Sequence, residues 1–365
     1  MSMQYHSSPS WNRLETVFQG GQADRTPTLG GWIASPAHIC AITGLTIEEY
    51  WADPRRASIG AYRILGVDGL LDVYVPPTRE DYRCVDANSY ARAVSELSFE
   101  QALEYIGSLP SADKIERDFE LEVEYARFAG ELRARQAVCG DMVYMPAQWA
   151  AGAHAGWYWE LGYENFFLIV GSHPDQARKL MEIGGARGRC RSRLIARAVQ
   201  EGLYPHAALL GEDICTQRGP MVSPRFLEEH YAPSLRYGLE PLLEVGCKPV
   251  WHSDGDVRPL LDMLFDCGVQ GLQGFQPECG MTIEHVAQKR TREGNPLLIF
   301  GPIAVTTELP TCTPAEIRAK VRHAVEVCKG NADLVLFASN TINPDVPVDN
   351  VFALYSGLAG NGVGG

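Results

Sequence analysis

The chain has 365 residues, 45% hydrophobic and 21% charged, an ordinary globular balance with enough material for a large core without staples. A formal net charge of −13 argues against nucleic acid or an anionic membrane surface as a partner. Ten cysteines, none closer than Cys267 to Cys279, form no CxxC pair, and no apolar run has the length of a signal core or a membrane span. A protein of a reducing compartment, the cytoplasm, is expected, with a homo-oligomer left open.

The elements are taken in chain order. Residues 1–20 read as an N-terminal extension, and strands are predicted at 26–33 (TPTLGGWI), 70–75 (LLDVYV) and 141–146 (DMVYMP). Between the second and third of these, residues 76–140 carry a helical pattern and read as an inserted helical lid. The aromatic run at Trp157, Tyr158 and Trp159 falls at a helix start and reads as core packing.

The second half alternates regularly. A strand at 206–212 precedes a helix from Ser223-Pro224 to Gly246, in which Pro233 predicts a kink or break. Strand 248–252, helix 257–268, strand 269–275, a helix near 282–289 and strand 297–303 follow. Thr313, Pro314 and Glu316 then make a capping box, with Ile317, Val321, Val325 and Cys328 on one face. A strand at 334–340 and a helix over 348–357 close the domain; residues 360–365 read as a frayed tail. Eight strands alternating with helices predict an α/β fold, a (β/α)8 TIM barrel spanning 21–359 as one domain.

Active sites of such barrels sit at the carboxyl ends of the strands, so the residues there are the candidates. They are Trp32, Asp72, Glu212, Asp213, His252, Asp254, Glu278 and Asn340. His252 is either a metal ligand or acid–base group, or a hydrogen-bonded core histidine. Asp254 reads as functional and Asp256 as the cap of the next helix. Asp213 could accept a proton, or pair with Arg218. Asp72 and Asn340 could hydrogen-bond a substrate, Asn340 alternatively holding the turn before Pro344. Trp32 offers an aromatic wall.

The run WHSDGDVRPLLDMLFDCGVQGLQGFQPE (251–278) resembles the uroporphyrinogen decarboxylase-like superfamily. So do ADRTP (23–27), ITGLTIEEY (42–50), LGVDGL (65–70), GPMVSP (219–224) and NTINPDVPVDNVFAL (340–354). The resemblance implies a (β/α)8 barrel and one of two chemistries: cofactor-free decarboxylation of uroporphyrinogen, or zinc-dependent methyl transfer with corrinoid proteins. The arginine-rich stretch of the true decarboxylases is replaced here by GGWIASPAHIC (30–40), which disfavours an octa-anionic substrate. The zinc methyltransferases resemble the chain more closely. By that resemblance His252, Glu278 and Asp254 would hold a zinc or other divalent metal, with Asp254 and Asn340 standing where the relatives have cysteines. Asp254 and Asp213 would serve catalysis, and Trp32, Asp72 and Asn340 would bind substrate. A carboxylate in place of a thiolate makes the site harder. The activity expected is methyl transfer between a small methoxyl, amine or thiol compound and a corrinoid protein or folate. The alternative is a decarboxylase-type lyase with another substrate.

Overall fold

The computed structural model describes residues 8–77, 79 and 97–357. Its eight principal strands are β1 (Leu29–Gly30), β2 (Gly69–Leu70), β3 (Val143–Tyr144), β4 (Ala207–Gly211), β5 (Lys248–His252), β6 (Gly271–Gln273), β7 (Leu298–Ile303) and β8 (Asp333–Ala338). They lie in two parallel sheets, β1-β2-β3 and β4-β5-β6-β7-β8. Isolated contacts, among them an Ile33–Ile342 bridge, link the sheets. Leu336 N donates to Pro27 O at 2.8 Å beside a Thr28–Leu336 bridge, and Gln148 N donates to Leu209 O at 2.6 Å. The order is that of the expected barrel, and the fold is compatible with one, although the ladder is not continuous all the way round.

The strands of the larger sheet are short apolar runs because both faces are covered; every residue of β4 and β7 is buried. The first three strands are only two residues long, and beyond β1 and β2 the chain soon leaves the extended conformation. Gly31 lies at φ +125° and Asp72 at φ +72°, and in both places the ladder stops.

The helical signals behave as their chemistry dictates. Thr313 and Glu316 form the capping box of helix Pro314–Cys328, whose buried residues are Ile317, Val321, Ala324 and Cys328; Val325 is half-buried. Ser223 stands at the start of helix Pro224–Phe226, but its hydroxyl makes no capping bond. The kink at Pro233 takes a definite form. Residues Leu227–Tyr231 widen into a π-turn, with Ala232 N bonded to Leu227 O, before the α-helix Ala232–Glu244 resumes. A proline has no N–H for the carbonyl four residues back, and a wider turn relieves the clash of its ring. The 27-residue helix Pro174–Gln200 was not foreseen.

Between β2 and β3 the described residues form helices Phe99–Ser108, Ala112–Arg117 and Leu121–Cys139. The rest of the expected 76–140 insertion, at 78 and 80–96, lies outside the described residues, as do 1–7 and 358–365. Helix Pro9–Phe18, within the expected extension, buries Trp11, Leu14, Val17 and Phe18, and the rings of Phe18 and Phe300 lie 5.9 Å apart. Trp157 and Tyr158 are core, as their run predicts, while Trp159 is 48% exposed. Among the described residues no helix is long and apolar enough to cross a membrane, and the described cysteines are all free.

Two of the motifs that carry the family resemblance meet at the amino end of the strands. Asp68, 1% exposed, accepts from Arg25 Nη1 at 2.8 Å, Arg25 Nη2 at 2.9 Å, Arg13 Nη1 at 2.5 Å and Thr28 N at 2.9 Å. ADRTP and LGVDGL thus meet in a buried ion-pair network that ties β1 to β2. Their role is structural.

Candidate metal and substrate site

The parallel register places Gly211, His252 and Gln273 side by side at the carboxyl ends of β4, β5 and β6. Two glycines permit this approach. A Cβ on Gly211 (φ +112°) would lie 2.4 Å from His252 O, and one on Gly274 (φ +93°) would lie 2.8 Å from His252 Nδ1. Asp213 follows β4 by two residues and Asp254 follows β5 by two, so both carboxylates reach back over the strand ends.

His252 is buried, with Nδ1 hydrogen-bonded to Gln273 Oε1. The Gln273 amide is oriented by two donations from Nε2, to Ser339 O at 2.7 Å and Ala338 O at 3.2 Å. Its Oε1 is therefore an acceptor, and Nδ1 must carry the proton. In the neutral imidazole this leaves the lone pair on Nε2, which faces Asp213 Oδ1 at 3.5 Å. Asp213 Oδ1 also accepts from Asp254 N at 2.9 Å, and Asp254 Oδ2 accepts from Asn340 Nδ2 at 2.8 Å. One ligand atom from each of Asp213, His252 and Asp254 lies within 4.8 Å of the others.

Burial works against the charged form of His252, but the hydrogen bond and charge of Asp213 outweigh it and raise the pKa to about 9. For Asp213, burial is likewise overcome by His252, and its pKa falls. Asp254 is pushed up to about 6, chiefly by burial and, against the pull of His252, by the neighbouring Asp213 charge. Two close carboxylates of which one is driven toward protonation are what a cation would relieve. Three nitrogen and oxygen donors, with a histidine held by an outer amide, match an open divalent-metal site. The donor set fits a metal.

No protein-family model matches the chain, and no curated protein does. Among solved structures, the chain is similar to a methyltransferase from Methanosarcina mazei, with a TM-score of 0.60 at 15% identity. The match covers 96% of this chain and 98% of that one. The likeness is one of fold.

Of the residues expected at the site, the structure brings together Asp213, His252, Asp254 and Asn340. Asp213 faces His252, the outcome its alternative pairing with Arg218 would not give. Glu278 stands outside the group. It is exposed on the short turn Pro277–Cys279 and accepts from Thr306 Oγ1 at 2.7 Å and Thr307 Oγ1 at 3.4 Å. Asp256 caps the next turn through Arg258 N at 3.2 Å and pairs with the Arg258 side chain.

Trp32 donates from Nε1 to Leu71 O at 2.6 Å, and its ring meets His252 edge-on at 6.4 Å and Phe337 at 5.0 Å. Asp72 accepts from Val73 N at 2.9 Å and Tyr144 OH at 3.3 Å. Glu212 is turned away from His252, accepting from Ala155 N and Gly156 N and holding His154 Nδ1 at 3.0 Å.

Sequence reasoning missed Trp149 and His154. The Trp149 ring lies 5.4 Å from His252 and 6.0 Å from Trp32. Both missed residues follow the end of β3, where the strand-end rule applied to DMVYMP would have pointed. Trp149, Asp213 and His252 border two cavities, of about 490 and 510 Å3. His154 and Glu212 line the first; Trp32, Asp72 and Asn340 line the second.

Gln273 ties β6 to the backbone at the end of β8 and at the same time holds His252 Nδ1. Gln273→Leu keeps the volume and removes that bond. It should weaken metal binding about 10- to 100-fold, read by competition with a chromogenic chelator. Unchanged affinity would show that Gln273 serves only to pack β6 against the loop after β8.

Proposed function

We propose that the chain is a metal-dependent methyltransferase that moves a methyl group between a small methoxyl, amine or thiol compound and a corrinoid protein or folate. The observation that carries this reading is the convergence of Asp213, His252 and Asp254 between two cavities at the strand ends. The likeness in fold to a methyltransferase supports it. Asp213 takes the ligand place that the sequence resemblance gives to Glu278.

A divalent metal held by these three side chains supplies Lewis acidity, lowering the basicity of the oxygen, nitrogen or sulfur that exchanges the methyl group. Zinc suits the set, and its oxygen content also admits manganese, iron or cobalt. The protein's own contribution is positional. Gln273 keeps the proton on His252 Nδ1 so that Nε2 faces the site, and Asn340 holds one oxygen of Asp254 so that the other is turned to its neighbours. Trp32 and Trp149 form an aromatic wall beside His252. Two cavities meeting at His252 allow donor and acceptor to be bound together, a corrinoid protein docking over the strand ends.

The test is spectroscopic. Protein loaded with zinc, given methoxyl, amine or thiol donors, should convert cob(I)alamin to methylcobalamin or methylate tetrahydrofolate, and a chelator should stop it. Absence of a methylated acceptor with all three donor classes would contradict the proposal. A second reading, a metal-free decarboxylase-type lyase, draws on one observation. Asp213 and His252 stand 3.5 Å apart beside Asp254, an arrangement of acid–base groups able to move a proton. Turnover that survives exhaustive chelation would favour it.

A further inference from the structure

Arg55, half-buried on helix Pro54–Leu65, lines the cavity of about 510 Å3 that opens on His252. Other arginines of the chain are held by carboxylates: Arg13 and Arg25 by Asp68, Arg189 by Glu240, Arg258 by Asp256. Arg55 is not. Among the described residues no hydrogen bond or ion pair reaches its guanidinium. The acids of the same cavity are engaged elsewhere, Asp213 with His252 and the Asp254 amide, Asp72 with Val73 N and Tyr144 OH.

A guanidinium carries five donors in a rigid plane and suits two-point recognition of a carboxylate. Trp32 and Trp149 line the same cavity, their rings packed together with centroids 6.0 Å apart and planes inclined at 38°, an aromatic wall for a flat apolar body. The volume is within the range of small-molecule sites.

We propose that this cavity takes a small aromatic carboxylate, its carboxylate on Arg55 and its ring against Trp32 and Trp149. The far end of the ring then lies toward Asp213 and His252, which border the same cavity. That this end bears the methyl group rests on the function proposed above; the carboxylate contact does not. Arg55 thereby also sets the substrate's sign of charge, which a protein of net charge −13 could not attract by its overall field.

Isothermal titration of the full chain with 4-methoxybenzoate and its neutral isostere 4-methoxybenzamide, without any methyl acceptor, tests the contact apart from the chemistry. The acid should bind about 10- to 100-fold tighter than the amide, the range of a charge-assisted hydrogen-bonded pair. Arg55→Gln should bring the acid down to the affinity of the amide and leave the amide unchanged, and Arg55→Lys should recover part of the difference. Circular dichroism would check that both variants keep the wild-type melting curve. Equal binding of acid and amide to the wild type, failure of both to bind, or an acid preference that survives in Arg55→Gln would each overturn the proposal. Methyl transfer that fails while the acid preference and its loss in Arg55→Gln hold would instead count against the function proposed above.

Discussion

His252→Ala is expected to yield a folded protein without stoichiometric metal and without methyl transfer. The substitution removes the nitrogen donor of the site and leaves two carboxylates and no imidazole. Loss of an outer hydrogen bond to a metal ligand already weakens binding about 10- to 100-fold, and loss of the ligand itself should exceed that. The cost to folding is smaller. His252 is buried, and its removal leaves Gln273 Oε1 without its partner, a penalty of about 1–3 kcal/mol. The strands on either side keep their ladders. Metal and activity should therefore vanish together while the unfolding transition stays cooperative. A His252→Ala protein that is active and metal-loaded would remove His252 from the mechanism.

The largest loss of stability is expected far from this site, at Asp68. Its carboxylate is 1% exposed and receives Arg13, Arg25 and the Thr28 amide, and Arg13 is itself only 12% exposed. Replacing Asp68 by Ala leaves the buried Thr28 amide without its acceptor and Arg25 without its carboxylate, and leaves Arg13 to Asp24 alone, at a cost of about 3 kcal/mol. That is a large share of the roughly 5–15 kcal/mol by which a domain is stable. Asp24, the other partner of Arg13, is 68% exposed, and Asp24→Ala should cost less than about 1 kcal/mol. Urea midpoints of the two variants should separate accordingly. Equal midpoints would mean that the network carries no net stability.

These two positions show how unevenly the sequence discloses its content. The chemistry around His252 was readable because β5 is an apolar run ending in a histidine, with an acid two residues on, and a parallel sheet must present that end to the site. Asp213 and Asn340 were readable for the same reason. Glu278 was misleading because five residues separate it from the end of β6. Over that distance the chain makes the turn Pro277–Cys279, and the carboxylate is delivered to Thr306 and Thr307 beyond β7. Trp149 and His154 follow a predicted strand end, but the segment after β3 has no periodicity to show which of its residues turn toward the site; the fold of that segment brings them in. Sequence spacing likewise could not separate motifs that hold the fold from motifs that hold the site. ADRTP carries the family resemblance alongside the His252 run, yet its arginine binds Asp68 at the opposite end of the strands.

The fold itself was legible where the strands are long. From β4 onward the alternation of apolar runs and capped helices places each element within a residue or two. The first three strands are shorter than their apolar runs predict; Gly31 and Asp72 end the ladders of β1 and β2 at left-handed backbone conformations that side-chain alternation does not announce. Helix Pro174–Gln200 lacks a capping side chain at His173, and its start is marked only by Pro174 and Asp175 in the first turn.

The proposed chemistry stands or falls on the metal. Elemental analysis of the wild-type chain, purified without added metal and again after equilibration with zinc and gel filtration, is the direct measurement. The account predicts close to one divalent ion per chain after loading, reduced to background in His252→Ala and in Asp213→Ala, and unaffected by Glu278→Ala. Wild-type protein that stays metal-free after zinc is added, or that loses its ion with Glu278→Ala and keeps it with Asp213→Ala, would contradict it.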